Sequence, residues 1–310
     1  MVSGIKKYIM TLEKNFIEKI KGNFRQSENL SNYSWFNLGG NAEYFYKARD
    51  KNQLIEFLTE AKKKKLKTTF LGAGSNTLFR DNGVRGVVVK LGKGFSYTKL
   101  IDKDTLEVGA ATLDRKVSNF AKENSIGNLE FLSCIPGSIG GAVIMNSGCY
   151  DNDISKILIS IQAIDKNKLS QVEIKNKDIK FSYRETNLSK DLIIISAKIK
   201  GSLKKKEEIE KKQADLIMRK KESQPSQIKT CGSTFKNVSK TKKAWMLIKE
   251  AGCQNYKVGD AIISQKHCNF FVNNGNANSA DIENLIKKVQ KKVYEKTGIN
   301  LELEIKIIGE

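Results

Sequence analysis

The sequence predicts an α+β protein of two or three domains. A chain of 310 residues is too long for one small core, and its 39% hydrophobic residues can fill several. Before Tyr150, segments with helical apolar spacing alternate with short β-branched runs, whereas strand-like segments dominate after it. Around Gly201 the composition changes to that of a charged helix, which predicts a domain boundary there.

The first half carries two amphipathic helices and several short strands. Asp50 is a predicted N-cap ahead of apolar residues at helical spacing, and a second such helix begins near Leu113. The predicted strands are Thr68–Leu71, 87–89 and 106–108. A glycine loop follows the first of these strands, and a second glycine-rich loop spans residues 135–141.

The second half begins with strands and ends with a marked helix and strand. The predicted strands are 157–164, 172–174 and 192–199, followed by the charged helix 204–221. Ser279 is predicted to cap a helix that stops at Gly298. Residues 301–307 then alternate apolar and charged side chains, the period of a half-buried strand.

Composition excludes several classes of protein. No apolar run is long enough to span a membrane, and the N-terminus lacks the pattern of a signal peptide, so we expect a cytoplasmic protein with no membrane partner. The five cysteines form no CxxC pair and their number is odd. We therefore expect reduced thiols, with neither a zinc site nor any other metal.

The net charge of +21 would attract polyanions without specificity. Much of this charge lies in lysine runs at 62–65, 204–206 and 287–292, and aromatic residues do not interleave with them as in a nucleic-acid platform. We expect a solvated surface that draws in anionic substrates and binds no specific nucleic acid. A polyanion-binding protein is the alternative.

Two loops have the composition to hold phosphates. Gly-Ala-Gly-Ser-Asn at 72–76 follows a strand, and Ile-Pro-Gly-Ser-Ile-Gly-Gly at 135–141 lies about sixty residues further on. Glycine allows backbone N–H groups to approach a phosphate closely. The first loop lacks the third glycine of a Rossmann fingerprint, and alone it is more often a turn. Together the two loops could grip a dinucleotide from both sides.

Further segments stand in a fixed order around these loops. They are Trp-Phe-Asn-Leu-Gly-Gly-Asn-Ala at 35–42, Phe-Ser-Tyr-Arg-Glu at 181–185, Gln-Pro at 224–225, Cys-Gly-Ser-Thr-Phe-Lys-Asn at 231–237, Val-Gly-Asp-Ala at 258–261, Ser-Gln-Lys-His-Cys-Asn-Phe at 264–270, and 301–309. In this order they resemble vanillyl-alcohol oxidase-type flavoproteins and, among them, the family of UDP-N-acetylenolpyruvoylglucosamine reductases.

The resemblance implies a fold and an activity. The fold is a two-lobed FAD-binding domain of the vanillyl-alcohol oxidase type at 34–200 and a C-terminal α+β substrate-binding domain at 201–310, after a helical extension at 1–33. The activity is the NADPH-dependent reduction of UDP-N-acetylglucosamine enolpyruvate to UDP-N-acetylmuramate for peptidoglycan synthesis. Turnover is ping-pong, with NADPH reducing FAD first, and we expect a monomer. FAD is expected to be noncovalent, since the sole histidine, His267, lies outside the FAD region; linkage through a cysteine is the alternative.

The resemblance also assigns catalytic residues. Ser233 matches the serine that protonates the substrate carbon, while Arg184 and Glu304 match the pair that stabilises the enol-like intermediate. A guanidinium can clamp a carboxylate bidentately and disperse the charge that hydride addition creates. Without the resemblance, a turn serine, a surface arginine and an outward acid would be favoured. Glu302, two residues earlier on the same predicted strand face, is the alternative acid.

The resemblance further assigns binding residues. The expected FAD ligands are Gly39, Gly72, Ala73, Gly74, Ser75, Asn76, Thr77, Ile135, Pro136, Gly137, Ser138, Gly140, Gly141, Asn146 and Gly148. The expected substrate ligands are Tyr183, Lys236 and Asn237. This chain departs from the family pattern at Cys149, Val238 and Asn255, where alanine, proline and glycine are usual.

One further rival shares the fold. A flavin oxidase acting on another substrate predicts the two glycine loops but not the set of Ser233, Arg184 and Glu304, and it would consume oxygen rapidly.

Overall fold

The computed structural model describes residues 23–310 and confirms a mixed α and β architecture. Within these residues the α-helices are α1 (Lys51–Lys63), α2 (Asp114–Glu123), α3 (Ile139–Ile144), α4 (Lys206–Ser223), α5 (Ala244–Glu250) and α6 (Ser279–Thr297). The strands are β1 (Asn23–Asn29), β2 (Asn41–Ala48), β3 (Thr68–Leu71), β4 (Thr77–Phe79), β5 (Val84–Leu91), β6 (Thr98–Asp102), β7 (Thr105–Gly109), β8 (Ile126–Gly127), β9 (Gly148–Cys149), β10 (Asn152–Asp153), β11 (Leu158–Asp165), β12 (Ser170–Lys175), β13 (Phe181–Ser182), β14 (Glu185–Thr186), β15 (Leu192–Lys200), β16 (Ser202–Leu203), β17 (Lys257–Val258), β18 (Ala261–Ile263), β19 (Phe271–Asn273) and β20 (Lys306–Ile308).

The first lobe is a four-stranded sheet covered by α1. Its strand order is β1-β2-β5-β3, with β1 antiparallel to β2 and the other pairs parallel. Asp50 caps α1 as predicted, because its carboxylate accepts a bond of 3.0 Å from the Gln53 amide. The buried face of α1 packs on the sheet, where the rings of Phe57 and Tyr46 stack 4.5 Å apart.

The second lobe is a five-stranded antiparallel sheet in the order β12-β11-β15-β7-β6. Ile193 and Ile195 of β15 join the core that contains α1, while Ile194 and Ala197 join the core formed with α2 and α3. Both faces of β15 are therefore covered, which explains why residues 192–199 form a nearly continuous apolar run instead of an alternating one.

The C-terminal unit consists of the three-stranded sheet β17-β18-β19 with α5 and α6. Its core also takes in Phe36, Leu38 and Leu78 from the first part of the chain. Arg80 forms a bidentate ion pair with Glu283 of α6, at 2.7 and 2.9 Å. The parallel pairing of β20 with β4 adds a second attachment, so this unit is fastened directly to the first lobe.

The structure corrects two predictions near the N-terminus and the second loop. The expected helical extension falls partly on residues 1–22, which lie outside the described residues. Residues 23–29, however, form strand β1, because their edge pairs with β2. The second glycine loop is also shorter than predicted, since helix α3 begins within it at Ile139.

Two corrections concern the C-terminal region. Asn278, not Ser279, caps α6, and its side chain forms a capping box with Asp281. The Ser279 hydroxyl instead donates to Asp81 at 2.7 Å. The predicted strand at 301–307 is mostly irregular, because Leu303 bridges Phe235 before the chain bends at Ile305 and enters β20.

Helix α4 follows the predicted boundary at Gly201 and packs on the second lobe. Gln213 of α4 donates to the Ser118 hydroxyl of α2 at 2.7 Å, and both side chains are buried. Lys220 donates to the carbonyl of Cys134 at 2.7 Å. The domain limits at residues 34, 200 and 201 stay predictions.

Candidate active site

Arg184 lies in the tight turn between β13 and β14. Its φ angle is 60°, in the left-handed region that residues other than glycine rarely adopt. The amide of Asn146 donates to the Ser182 carbonyl at 3.1 Å, and the hydroxyl of Thr186 donates to the Ile144 carbonyl at 3.1 Å. The segment after α3 therefore holds the turn that presents Arg184.

Arg184 and Glu304 form a buried ion pair. Nε of Arg184 donates to Oε1 of Glu304 at 2.7 Å, and the two side chains are only 22% and 15% exposed. Burial raises the pKa of Glu304, while the charge and hydrogen bond of Arg184 act in the opposite direction. The structure thus brings together two residues that lie far apart in the sequence and that the motifs assigned to catalysis.

Glu302, the alternative acid, lies in a different environment. Its side chain is 78% exposed and approaches Lys236 at 3.5 Å. The two acids do not share a strand face as predicted, because the chain at 301–305 is irregular. The contact with Arg184 identifies Glu304 as the buried acid of the site.

The backbone around Glu304 is held from two directions. Its amide donates to the Thr234 carbonyl at 2.8 Å, and its carbonyl accepts a bond of 3.0 Å from the side chain of Asn76. Thr234 directly follows Ser233, so the serine motif and the acid are neighbours. Asn76 belongs to the first glycine loop, and its amide therefore links that loop to Glu304, the predicted catalytic acid.

Ser233 follows a glycine with φ of 81° and forms an isolated bridge with Phe270. Its side chain is half-buried. Within residues 23–310 no side chain or backbone group hydrogen-bonds its hydroxyl, so the proton is free for a bound molecule. The segment that carries Ser233 adjoins that of Glu304 through the backbone bond at Thr234 described above.

Asn269 is a site residue whose role the sequence did not reveal. Its side-chain NH₂ group donates to the Phe235 backbone carbonyl at 2.8 Å, and its side-chain oxygen accepts from the Phe235 backbone amide at 3.0 Å. The backbone carbonyl of Asn269 accepts from the Thr234 amide at 2.8 Å. This clamp fixes the backbone that follows Ser233. In the sequence, Asn269 stood out only as part of the motif at 264–270, to which no function was assigned.

The three predicted substrate ligands, Tyr183, Lys236 and Asn237, lie close to one another. The Tyr183 hydroxyl accepts a bond of 3.2 Å from the Asn237 amide, and the Arg184 guanidinium lies 5.0 Å from the Tyr183 ring centroid. Lys236 is held between Glu302 at 3.5 Å and Glu185 at 3.9 Å. Tyr183 is 47% exposed, so this cluster opens to solvent.

The two glycine loops meet at Ser138. A Cβ added at Gly72 would lie 3.2 Å from the Ser138 hydroxyl, and one added at Gly141 would lie 3.9 Å from the same atom. Apart from the adjacent residues and the helix backbone around Gly141, no other protein atom lies within 4 Å of either position. The contact at Gly72 is tight but involves only a side-chain hydroxyl, and the one at Gly141 is an ordinary van der Waals distance, so the space beside Ser138 is largely open.

Other predicted FAD ligands have structural roles. Gly74 has φ of 73°, and a Cβ there would lie 1.7 Å from the Tyr33 carbonyl oxygen. A Cβ would also meet protein atoms at Gly39, Gly137, Gly140 and Gly148. The amides of Ile139 and Gly140 donate to backbone carbonyls, so they are not available to a phosphate.

The side chain of Asn146 is likewise committed to the protein, since it donates to Ser182 and accepts from Ser155. Thr77 begins β4, and its carbonyl accepts from the Ser34 hydroxyl at 2.6 Å. Ala73, Ser75 and Ile135 are half-buried and Pro136 is exposed, all within the two loops. No feature assigns a ligand to these residues, and their role in FAD binding stays a prediction.

A cavity of about 630 Å³ lies beside the first loop. Its walls include Tyr33, Trp35, Ala73, Lys90 and Ile228. Lys90 donates to the Gly72 carbonyl, and burial lowers the pKa of its ammonium to about 8. Lys90 was not identified from the sequence, because the apolar strand β5 in which it lies contains no motif.

Comparison with known proteins decides the family. A model described as an FAD binding domain matches residues 42–168, and one described as the UDP-N-acetylenolpyruvoylglucosamine reductase C-terminal domain matches 224–308. The UDP-N-acetylenolpyruvoylglucosamine reductase of Pelagibacter ubique is 46% identical over 298 residues, which cover 95% of this chain and 98% of the relative. That of Rickettsia bellii (strain RML369-C) is 43% identical over 94% of this chain and 95% of its own length. The chain belongs to the UDP-N-acetylenolpyruvoylglucosamine reductase family.

A solved structure agrees with membership of this reductase family. The UDP-N-acetylenolpyruvylglucosamine reductase of Thermus caldophilus superposes with a TM-score of 0.80 at 29% identity, covering 93% of this chain and 99% of that one. The predicted fold, a two-lobed FAD-binding domain of the vanillyl-alcohol oxidase type with a C-terminal α+β domain, is confirmed. Within residues 23–310 no helix has the length and apolar content to cross a membrane.

Proposed function

We propose that this protein reduces UDP-N-acetylglucosamine enolpyruvate to UDP-N-acetylmuramate for peptidoglycan synthesis, with FAD bound noncovalently and NADPH as the hydride donor. The observation that carries the proposal is the buried Arg184–Glu304 pair at 2.7 Å. The Glu304 amide bonds the carbonyl of Thr234, the residue after Ser233, whose hydroxyl has no partner within residues 23–310. An arginine, an acid and a proton donor in one place suit the reduction of a double bond conjugated to a carboxylate.

The residues present fit FAD. Glycine at 72 and 141 leaves open space on both sides of the Ser138 hydroxyl, as a group in close backbone contact requires. The half-buried Ala73 and Ser75 complete the first loop on this side. When bound, FAD would supply the hydride that the double bond accepts.

The protein residues stabilise and protonate the product of hydride addition. Addition to the double bond places negative charge on the carbon next to the substrate carboxylate. Arg184 is positioned to bind that carboxylate, and Glu304 holds the guanidinium in place through its bond to Nε. Ser233 then donates its proton to the carbon, and the strongly basic carbon makes a hydroxyl an adequate acid.

The cluster of Tyr183, Lys236 and Asn237 is assigned to the sugar nucleotide. Lys236 offers an ammonium to the substrate phosphates, and its two carboxylate neighbours are exposed enough to be displaced. The high positive charge of the chain favours the approach of such anionic molecules. We further propose that the enzyme acts in the cytoplasm as a monomer.

The deciding experiment follows NADPH oxidation by the purified, full-length protein. The protein should be yellow, release FAD on denaturation, and oxidise NADPH rapidly only when the enolpyruvyl sugar nucleotide is present. NADH in place of NADPH tests the preferred donor. Rapid oxygen consumption without the sugar nucleotide would instead identify a flavin oxidase, and polyanion binding without NADPH oxidation would identify a binding protein.

A further inference from the structure

The carboxyl group of Asp114, the first residue of α2, is buried without a hydrogen-bond partner within residues 23–310. Its relative exposure is 0%, and neither carboxyl oxygen has a partner within residues 23–310. A lone carboxylate in such a place is far more costly than the uncharged acid. Few buried polar groups in a folded protein lack a partner, so this one calls for an explanation.

The second glycine loop covers this carboxyl. The Asp114 amide donates to the Gly137 carbonyl at 3.1 Å, and Leu113 forms a bridge with Ser138. A Cβ added at Gly137 would lie only 2.6 Å from Oδ2 of Asp114. The Asp114 carboxyl therefore occupies the space that a side chain at 137 would take, and such a side chain would have to displace it. Ser138, the next residue, faces the open space between Gly72 and Gly141.

Among residues 23–310, no charged group is found to stabilise an ionised Asp114. Burial alone raises the pKa of Asp114 well above its usual range. Arg115 and Lys116 of the same helix are exposed, and residues 135–141 contain no titratable side chain. Glu130, in the short 3₁₀ helix before the loop, pairs with Lys212 at 3.5 Å. Burial thus favours the uncharged form of Asp114 beneath the loop.

We propose that Asp114 is a positioning residue for the cofactor. As a neutral acid it holds loop residues 136–138 in the conformation that binds the cofactor, and on ionisation it releases them. The identity of the cofactor as FAD rests on the proposed function. Ionisation requires the carboxyl to gain water, and the loop must move to admit it. FAD affinity should therefore fall as the pH rises.

The first test compares wild-type protein with Asp114→Asn, which keeps the shape but cannot ionise. FAD dissociation constants are measured by flavin fluorescence across neutral and alkaline pH. The wild-type constant should weaken by up to about tenfold per pH unit once Asp114 begins to ionise, as expected for linkage to one proton. The asparagine variant should lack this component. Equal pH profiles for the two proteins would overturn the proposal.

Glu130→Gln is the matched control. Glu130 is also a buried acid of the second lobe, but it does not touch residues 136–138 and has Lys212 as a partner. This variant should keep the wild-type pH profile of FAD binding. If FAD affinity in Glu130→Gln also no longer falls with rising pH, as expected for Asp114→Asn, the pH effect does not come from Asp114 specifically and the proposal fails.

A second measurement does not depend on FAD. The pKa of aspartate is about 4 in the unfolded chain, and burial raises the pKa of Asp114 in the folded protein. The stability that this difference contributes is fully present below about pH 4 and is lost as the pH rises towards the folded-state pKa. In urea unfolding, Asp114→Asn should therefore gain stability relative to wild type as pH rises above about 4. A pH-independent difference would contradict the neutral acid. A wild-type protein that binds no FAD at all would overturn the proposed function, while this measurement would still test the buried acid.

A substitution pair tests the contact itself. Gly137→Ala alone should weaken FAD binding, because its Cβ meets Oδ2 of Asp114. Combining it with Asp114→Ala removes that atom and should restore part of the affinity lost by Gly137→Ala. If the two effects simply add, the carboxyl does not set the conformation of Gly137.

Discussion

At the scale of single residues, the site depends on an arginine with an unusual backbone. Arg184 has a φ of 60°, which costs about 1 kcal/mol or more for a residue with a side chain. The bond to Glu304 at 2.7 Å and the adjacent Tyr183 ring offset this cost. Such strain at a buried, charged residue is typical of a position selected for function, and it directs the guanidinium towards Glu304.

The first prediction concerns Ser233. Ser233→Ala should still bind FAD and be reduced by NADPH at nearly the normal rate, because in the proposed mechanism the hydroxyl acts only in the second half-reaction. Reoxidation by the enolpyruvyl sugar nucleotide should slow by roughly 10²-fold or more, the usual effect of losing a positioned proton donor. Stopped-flow absorbance of the flavin measures each half-reaction separately.

Two further variants make this test specific. Ser233→Cys should recover part of the rate, since a thiol can donate a proton from the same position. Ser264→Ala is a control in a neighbouring turn, where the hydroxyl only accepts a bond of 3.2 Å from the Lys266 amide. Reoxidation of the Ser233→Ala enzyme at the wild-type rate would show that another group is the acid.

At the scale of elements, local patterns predicted what local interactions determine. Strand β3 has the predicted bounds, and α1 begins after its predicted cap at Asp50. In both cases apolar periodicity next to a capping residue or a glycine predicts the element. These interactions form within the segment itself and need no distant partner. The stop of α6 at Gly298, with φ of 69°, follows the same rule.

The errors have a common physical cause, which is pairing with distant segments. Residues 301–307 alternate like one strand, but the first half bridges Phe235 and the second half pairs with β4. The prediction for 23–29 failed because β2, not local propensity, makes this segment a strand. Within the site, motifs found Arg184, Ser233 and Glu304, yet no local pattern shows that Asn76 bonds a residue 228 positions away.

The second prediction separates the glycines of the two loops. Gly72→Val and Gly141→Val should fold normally and lose FAD affinity by roughly ten- to a hundredfold, because an overpacked contact costs about 1–3 kcal/mol. Gly74→Val should instead destabilise the whole protein, since a Cβ there meets the Tyr33 carbonyl at 1.7 Å. Thermal unfolding and FAD titration distinguish the two classes.

Full FAD occupancy in both the Gly72 and Gly141 variants would show that the cofactor does not lie beside Ser138. A Gly74 variant that is as stable as wild type would contradict the packing described for the first loop.

At the scale of the whole molecule, the lysine-rich surface has partners within the chain. Lys292 pairs with Glu295 at 2.9 Å, and Lys288 lies 4.6 Å from the Tyr256 ring centroid. Both belong to the run at 287–292 on helix α6. These contacts fit a solvated surface better than a groove shaped for a polyanion.

The third prediction follows from this surface. Binding to duplex DNA should be weak, without sequence preference, and should decrease roughly a thousandfold or more between about 50 and 200 mM salt if six or more phosphates are contacted. Fluorescence anisotropy with two unrelated duplexes measures it. Selective binding that persists at physiological salt would support a nucleic-acid role.

The attachment of β20 to β4 has a consequence for the order in which the enzyme matures. During synthesis, β4 and the first glycine loop emerge more than two hundred residues before Glu304, which is 228 positions from Asn76. Until then the edge of β4 is unpaired, and Arg184 has no counter-charge. Domains that emerge early can fold early, but this active site can form only after residue 304 has left the ribosome. A prematurely terminated chain would therefore contain the FAD-binding region but lack Glu304, the acid that we propose for catalysis.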